Sequence, residues 1–162
     1  MSGISVTTLM LILAGAGWFV DPSLSGGTVS QSATQPPKSQ IETEVMKVLD
    51  DYMDAWNRKD LVAWERTFHF PHYRLASGRM NVLERAGLQD PARVWASAGA
   101  DWHHSKWDRR VIIHSSNEKV HVDTRFTRYR ADGSKIGSYD SLYILTMEDG
   151  KWGVVLRSSF AQ

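Results

Sequence analysis

The first regular pattern along the chain is a stripe of apolar residues at helical spacing. Its members are Ile41, Val45, Val48, Leu49, Tyr52 and Trp56. A repeat of three and four residues places one face of a helix against a core, so the pattern predicts a first helix over 40–58. Ser39 and Glu42 have the spacing of a capping box, which favours a helix start at this point.

Capping residues predict two shorter helices and a hairpin further along. Asp60 is placed to cap a second helix, which Pro71 ends. The apolar side of this helix comprises Leu61, Trp64 and Phe68. Asp90 followed by Pro91 combines a cap with a first-turn proline and predicts the start of a third helix. Between these helices, residues 73–82 form a predicted hairpin.

From Trp107 onward the apolar positions alternate with a period of two, which predicts strands. Turn signals occur at 116–117, 132–133 and 149–150, so the segment is predicted to form four antiparallel strands in a meander. Two-residue turns would fix the register of these strands. The more apolar face would then contain the rows Trp107, Phe126, Tyr139, Phe160; Arg109, Thr124, Ser141, Ser158; and Val111, Val122, Tyr143, Leu156.

The other face of this register brings opposite charges together. The predicted pairs are Asp108 with Arg125, Arg125 with Asp140, and Arg110 with Asp123. Such cross-strand pairs are favourable, which supports the register. A β-bulge would reverse the facing of every residue beyond it. The apolar face must be covered by the helices, so the fold class is α+β with one helix layer and one sheet layer.

Charge and cysteine content exclude several classes of function. The chain has 162 residues, a formal net charge of +1 and no cysteine. A balanced charge argues against a nucleic-acid or anionic-membrane partner. The lack of cysteine excludes a disulfide scaffold and a thiolate zinc site.

The first 39 residues differ in composition from the rest. Residues 1–40 contain two charged side chains, Asp21 and Lys38, so we predict an apolar segment plus flexible linker over 1–39 and a folded domain over 40–162. The uncharged run Val6 to Val20 is too short for a stable membrane span. It has the length of a signal peptide but no preceding Lys or Arg. A cytoplasmic location is therefore favoured, with export as the alternative if this run acts as a signal.

Three segments carry a family resemblance: 55–61 (AWNRKDL), 70–78 and 149–155 (DGKWGVV). Together with the predicted order of elements, they resemble the NTF2-like superfamily over residues 40–162, in particular its SnoaL-like and ketosteroid-isomerase-like domains. The resemblance implies a cone, in which three N-terminal helices pack on a curved, mainly antiparallel sheet and leave a cavity at the wider end. Family members include isomerases, cyclases, dehydratases, ligand binders and dimerisation modules.

The predicted inner face offers a site for a small molecule. Arg109 lies in a row of hydroxyl residues beside a row of aromatic rings, which suits a partly apolar compound with a carboxylate or carbonyl group. The candidate ligand-binding residues are Arg109, Thr124, Ser141, Ser158, Tyr143, Phe126, Tyr139 and Trp56. In the alternative interpretation, Arg109 extends to the rim and the hydroxyls bond one another.

Catalysis is an alternative function with weaker support. The inner rows contain no Asp or Glu, which leaves His72 or His104 as a base and Tyr52 or Arg109 to stabilise an oxyanion. No cofactor motif is present, and Pro71 separates His69 from His72, so no cofactor or metal is expected. A dimeric scaffold with a filled cone is a third hypothesis.

The predicted outer face carries an apolar patch. Its members are Ile112, Leu142, Ile144 and Val155. Exposed patches of this kind mark contact surfaces, so we expect a homodimer through the sheet. The alternative is that the N-terminal segment covers the patch.

Overall fold

The structure, a computed structural model, describes residues 37–161. The helices are α1 (Lys38–Asn57), α2 (Leu61–Glu65) and α3 (Pro91–Ala96), and the strands are β1 (Phe68–Ala76), β2 (Arg79–Leu83), β3 (His104–Ser115), β4 (Lys119–Tyr129), β5 (Lys135–Glu148) and β6 (Lys151–Ser159). None of these three helices is both long and apolar enough to cross a membrane. The run Val6 to Val20, predicted as a possible signal, and nearly all of the predicted linker lie outside the described residues.

The long helix α1 buries the predicted apolar stripe. Ile41, Val45 and Leu49 are almost fully buried against the sheet, because their spacing places them on one side of the helix. The predicted capping box is wrong. The helix begins at Lys38 with Pro37 as its N-cap, and no side chain caps it.

The two short helices begin as predicted. The Asp60 side chain accepts a hydrogen bond from the backbone of Ala63 (2.9 Å), and Asp90 accepts one from Ala92 (3.0 Å). Each carboxylate thereby satisfies one of the amide groups that a helix start leaves without an internal partner. The second helix ends earlier than predicted, and Phe68 opens β1.

All six strands form one curved sheet in the order β2-β1-β6-β5-β4-β3. The predicted hairpin (β1 and β2) joins the predicted meander through parallel pairing of β1 with β6, and every other pair is antiparallel. Pro71 lies where the pairing between β1 and β6 is interrupted, since proline has no amide hydrogen to donate. The helices pack on the inner face, which gives the predicted α+β cone.

The side chain of Asn57 joins α1 to the start of the meander. Its amide nitrogen donates to the carbonyl of Ser105 (2.9 Å), and its amide oxygen accepts from the backbone nitrogen of Ser105 (2.8 Å). Two reciprocal hydrogen bonds fix the end of the helix against β3. The carboxyl end of α1 therefore has a defined position beside the wide end of the cone.

A β-bulge in β3 changes the facing of the residues that follow Trp107. Trp107 keeps its predicted partner, but Arg109 lies opposite Arg125 and not opposite Thr124. The additional residue, Asp108, reverses the alternation of the strand. The prediction that Arg109 faces the inside of the cone is therefore wrong.

On the outer face Arg109 belongs to a network of charged side chains. It donates to Asp123 (2.9 Å) and to Asp140 (3.1 Å), and Arg125 donates to Asp140 (3.0 Å). The predicted pair of Arg125 with Asp140 is confirmed. Arg109 occupies the position beside Asp123 that the sequence register assigned to Arg110, so the predicted pair of Arg110 with Asp123 is wrong.

The other two charged residues near the bulge have different partners as well. Arg110 pairs with Asp50 of α1 (2.6 Å), because the bulge turns it toward the helix. Asp108 accepts a hydrogen bond from the Thr127 hydroxyl (2.6 Å), so its predicted pairing with Arg125 is wrong.

A second bulge lies in β6 at Val155. Leu145 pairs with Val154 as predicted, but Ile144 then pairs with Leu156. Beyond this point the predicted facing of β6 is reversed. Arg157 comes to lie opposite Tyr143 on the inner face, although the sequence register placed it outside.

The end of β6 shows the same reversal. Ser159 lies opposite Ser141 on the inner face, so the predicted inner position of Ser158 is wrong. Phe160, which the register also placed inside, is 79% exposed. By contrast, the predicted pairing of β4 with β5 is confirmed without a shift through the inner residues, including Phe126 with Tyr139.

The outer apolar patch changes in composition for the same reason. Ile112 lies opposite Val122 and packs against the core, so its prediction as an outer residue is wrong. Val155 is the bulge residue of β6, which takes it out of the row in which it was predicted. We define the outer patch by the residues that now share this side of the central strands: Val111, Leu142, Ile144 and Leu156.

Candidate functional site

A cavity of about 440 Å³ opens between the helices and the inner face of the sheet. We call it the cone cavity. Its lining residues are Trp56, Trp64, Phe68, His72, Arg74, Asn81, Val82, Leu83, Leu88, Gln89, Asp90, Arg93, Val94, Ser97 and Arg157. A volume in this range suits a small organic molecule.

Aromatic rings form one wall of the cone cavity. The ring centroids of Trp56 and Trp64 are 4.9 Å apart, and those of Trp64 and Phe68 are 4.8 Å apart. The three residues come from α1, α2 and β1, which meet at this point. Their packing gives a rigid apolar surface against which another ring or an aliphatic group can be buried.

Arginine residues line the same cavity. Arg74 of β1 and Arg157 of β6 are register partners in the parallel pair of strands, and both line the cone cavity. Beneath them lies a smaller space of about 20 Å³, the inner chamber, which Arg74 and Arg157 share with Arg128 of β4. Three strands therefore bring three guanidinium groups to the same part of the cone.

These three arginines have no carboxylate partner among residues 37–161. Arg109 and Arg110 each form ion pairs, whereas no ion pair within that part of the chain involves Arg74, Arg128 or Arg157. The Nε atom of each of the three is buried and lacks a protein hydrogen-bond partner in the same range. Buried cations without counter-charges are unfavourable unless another group supplies the missing charge.

The charges of the three arginines also act on one another. Burial lowers the pKa of Arg74, and the positive charge of Arg157 lowers it further. The pKa of Arg128 is lowered by burial, and Arg157 again contributes in the same direction. The cone therefore contains a concentration of positive charge that favours the entry of an anion.

Two tyrosines complete the inner chamber. The Arg157 guanidinium donates to the hydroxyl of Tyr52, and the rings of Tyr52 and Tyr143 meet edge to face at 5.5 Å. Burial raises the pKa of Tyr143, and neighbouring Tyr52 raises it further, so the Tyr143 hydroxyl stays protonated. The sequence predicted Tyr52 as an oxyanion-stabilising group, and the structure places it beside Arg157.

His72 lines the cone cavity as a neutral side chain. Its Nδ1 lies 2.9 Å from the carbonyl oxygen of Val154, and its ring stacks on Phe68 at 4.0 Å. A carbonyl only accepts hydrogen bonds, so the proton sits on Nδ1 and Nε2 keeps its lone pair. Burial lowers the pKa of His72 to about 4, and the charges of Arg157 and Arg74 act in the same direction.

The other candidate base lies elsewhere. His104 stacks on Tyr129 (5.0 Å) and contacts the ring of His103, and it does not line the cone cavity or the inner chamber. Burial, together with the charge of Lys106, lowers its pKa. The structure therefore separates the two histidines that the sequence treated as equivalent.

The predicted hydroxyl row is used within the sheet. The Thr124 hydroxyl donates to the carbonyl of Ser141 (3.0 Å), and the Ser141 hydroxyl donates to that of Ser159 (2.8 Å). Thr124 and Ser141 are buried and do not line either space. This arrangement corresponds to the alternative interpretation, in which the hydroxyls bond one another.

The predicted aromatic residues lie closer to the site. Phe126 and Tyr143 line the inner chamber, and Trp56 lines both spaces. Tyr139 packs on Phe126 at 5.5 Å, with the Arg128 guanidinium over its ring at 5.1 Å. Their positions agree with the predicted inner face, whereas their contact with a ligand stays a prediction.

Sequence reasoning missed Arg74, Arg128 and Arg157. Arg128 follows Phe126 by two residues, so the period of two already predicts that it faces inward, one row beyond the row of Trp107 and Phe126. Arg157 was hidden by the bulge in β6. Arg74 lies on β1, whose parallel pairing with β6 no local pattern indicates.

No group of three or more His, Asp or Glu side chains within residues 37–161 is arranged to hold a metal ion. The residues that line the cone cavity and the inner chamber supply guanidinium groups, phenol hydroxyls, one imidazole, the Asp90 carboxylate and aromatic surface.

The fold and the site define an α+β cone protein with an internal small-molecule-sized cavity. A family model described as "NTF2-like protein (DUF6841)" matches residues 42–159, and the chain belongs to this family. No curated protein matches the sequence.

Solved structures share the fold at low sequence identity. An NTF2-like protein of unknown function from Pseudomonas putida has a TM-score of 0.63 at 11% identity, over 78% of this chain and 90% of that chain. A ketosteroid isomerase-like protein from Erwinia carotovora atroseptica has a TM-score of 0.55 at 19% identity, over 73% and 93%. A putative aromatic ring hydroxylase from Novosphingobium aromaticivorans has a TM-score of 0.57 at 11% identity, over 78% and 92%.

Proposed function

We propose that this protein binds a small, partly apolar organic compound with an acidic group inside its cone. The observation that carries the proposal is that uncompensated arginines and a cluster of aromatic rings line one cavity. A cavity of about 440 Å³ supports this function over a scaffold with a filled cone.

The two groups of residues would contribute in different ways. The Trp56, Trp64 and Phe68 rings remove the apolar part of the ligand from water, which supplies most of the affinity. Arg74 and Arg157 would pair with its carboxylate, since a guanidinium presents parallel donors that match two carboxylate oxygens. The charge then fixes the orientation of the ligand in the cone.

Thermal unfolding with benzoate as the probe tests this function. At ten times its dissociation constant, benzoate is expected to raise the melting temperature by about 3 °C, because it binds the folded state only. Arg74→Gln should abolish the shift. The control is Arg130→Gln, because Arg130 lies 3.7 Å from Asp101 and does not line the cavity. A wild-type protein that responds to no aromatic acid would contradict the proposal.

His72 supports a second candidate function, proton transfer at a carbon beside a carbonyl group. Its neutral ring has a free lone pair on Nε2 and lines the same cavity as Arg157, whose charge would stabilise an enolate. Phenylpyruvate is a suitable probe, because it combines a ring, a carboxylate and an exchangeable methylene group.

Hydrogen–deuterium exchange at that methylene, followed by NMR, separates the two functions. An enzyme should exchange it at least tenfold faster than buffer, and His72→Asn should remove the acceleration while binding persists. A wild-type rate equal to that of buffer, with phenylpyruvate bound, leaves the binding function alone.

A further inference from the structure

The number of uncompensated cations in the cone exceeds what one carboxylate can balance. Arg74, Arg128 and Arg157 all line the inner chamber, and none of them has a carboxylate partner among residues 37–161. Among the lining residues that the structure describes, Asp90 is the only one with an acidic side chain. Its carboxylate caps α3 and lies 3.7 Å from Arg93, and it forms no ion pair with the three arginines.

Other polar groups satisfy these cations only in part. Arg157 donates to Tyr52, and Arg128 donates to the carbonyl of Ser97 (3.3 Å). Each of the three still has a buried Nε atom without a protein partner in the described range. Tyrosine hydroxyls and a carbonyl offer dipoles but no full negative charge. The positive charge of the chamber is therefore uncancelled.

The inner chamber is also too small for a complete ligand. Its volume of about 20 Å³ admits a water molecule or the tip of a head group. The larger cone cavity lies directly against it, and the two share Trp56, Arg74, Ser97 and Arg157. A ligand that fills the cone cavity would direct its charged end toward the chamber, with its apolar part on the aromatic wall.

Resting on the function proposed above, we propose that the ligand is an organic dianion, with two negative charges close together at one end of an apolar body. A single carboxylate leaves two of these guanidinium groups without a counter-charge, although their Nε atoms are buried, whereas a dianionic head group neutralises most of the cluster. A phosphate monoester and a vicinal dicarboxylate both present this chemistry.

Isothermal titration calorimetry with three probes of one ring size tests the charge requirement. At pH 7.5 benzoate carries one negative charge, whereas phthalate and phenyl phosphate carry two. We expect at least one dianion to bind tenfold or more tightly than benzoate. Tighter binding of phthalate would identify the head group as a dicarboxylate, and tighter binding of phenyl phosphate would identify it as a phosphate monoester.

Variants at Arg128 separate charge from structure. Arg128→Gln should reduce the preference for the dianion at least threefold and leave benzoate affinity within twofold, since two guanidinium groups remain. Arg128→Lys keeps the charge and should retain most of the preference. Arg130→Gln is the matched control, because Arg130 lies 3.7 Å from Asp101 and lines neither the cone cavity nor the inner chamber, and it should change neither affinity. Circular dichroism confirms that each variant is folded.

The outcomes distinguish this inference from the proposed function. If benzoate binds as tightly as both dianions, the inference of a dianionic ligand is wrong and the proposed binding function stands. If none of the three probes binds, both are contradicted. Inorganic phosphate is titrated as a fourth compound. If it binds as tightly as phenyl phosphate, the apolar body of the ligand contributes nothing to affinity, and the inference of an organic dianion is wrong.

Discussion

At the residue scale, the three inner arginines set the charge of the cone. Arg109 and Arg110 show how the same residue type is stabilised elsewhere in this molecule, each by an aspartate at 2.6 to 3.1 Å. Arg74, Arg128 and Arg157 lack this compensation within residues 37–161. Selection for stability alone would not keep such a cluster, because apolar side chains at these positions would avoid the cost of burying charge.

Replacing one of these arginines should therefore stabilise the free protein. Arg74→Met keeps the length of the side chain and removes an uncompensated charge, and we expect the free energy of unfolding to rise by about 1 kcal/mol. Urea denaturation measures the change. Arg109→Met removes a compensated charge from the outer face and should be neutral or destabilising. If Arg74→Met lowers the free energy of unfolding as much as Arg109→Met does, this interpretation of the cluster is contradicted.

The buried neutral His72 makes stability dependent on pH. Its folded pKa of about 4 lies below the ordinary value of 6.5, so the folded state disfavours the proton. The contribution of neutral His72 to the free energy of unfolding is fully present above pH 6.5 and is lost as the pH falls from 6.5 toward 4. The full difference corresponds to about 3 kcal/mol.

Unfolding at pH 7.5 and pH 4.5 tests this effect. His72→Asn should lose less stability than the wild type over that interval, by at least about 1 kcal/mol. His114→Gln is the control, because that side chain is exposed on β3 and lies outside the cavity, and it should follow the wild type. Parallel behaviour of His72→Asn and the wild type would contradict the assignment.

At the element scale, the sequence predicted helices and strands well but the facing of two strands poorly. Asp60 and Asp90 marked helix starts correctly because a cap acts within a few residues. The bulges at Asp108 and Val155 lie in runs without alternation, Asp108-Arg109-Arg110 in β3 and Val154-Val155-Leu156 in β6. In such runs no residue pattern identifies the extra position, so the register is weakly specified.

The same limitation explains which site residues could be predicted. Tyr52 and Trp56 follow from helical periodicity on α1, and Tyr143 and Phe126 follow from the regular pairing of β4 with β5. Arg157 required knowledge of a bulge and Arg74 required a long-range parallel pairing. The aromatic half of the candidate site was thus accessible from sequence, and the cationic half depended on tertiary structure.

Helix α2 also fixes one wall of the cone cavity through a buried carboxylate. Glu65 accepts hydrogen bonds from the backbone nitrogen of Gly87 (2.8 Å) and from the side chain of Gln89 (3.0 Å). Leu88 and Gln89 line the cavity. Glu65 therefore holds the 84–90 segment in the position that closes this side of the site.

Loss of this carboxylate should loosen the segment. Glu65→Ala leaves two donors without their acceptor, and we expect destabilisation of about 2 kcal/mol, with faster amide exchange at Gly87. Glu44→Ala, on the exposed side of α1, is the control and should change stability by less than about 0.5 kcal/mol. Unchanged exchange at Gly87 in Glu65→Ala would show that other contacts hold the segment.

At the scale of the whole molecule, the outer patch suggests a second copy of the chain as a partner. Leu142 and Ile144 lie on the same side of β5, and Ile144 adjoins Leu156 of β6. Val111 of β3, 47% exposed, lies beyond Asp123, and Asp140 carries ion pairs to Arg109 and Arg125 nearby. An apolar centre with a mixed charged border suits a two-fold interface, in which each arginine can face an aspartate of the partner.

Sedimentation velocity tests this homodimer. We expect a dimeric wild type, and Leu142→Glu should shift it to the monomer, because the interface would bury the new charge. Met80→Glu is the control, since Met80 is exposed on β2 at the other end of the sheet, and it should remain dimeric. A monomeric wild type at high micromolar concentration would contradict the interface.

The parallel pairing of β1 with β6 has a consequence for how the binding site is made. His72 and Val154, in hydrogen-bond contact, are 82 residues apart, and Tyr52 and Arg157 are 105 residues apart. These are among the highest sequence separations in the domain, so closing them carries a large entropic cost and delays folding. During synthesis, a chain whose last strand is still inside the ribosome lacks Arg157 in its cone. The cone therefore acquires its full positive charge only after β6 has left the ribosome and paired with β1.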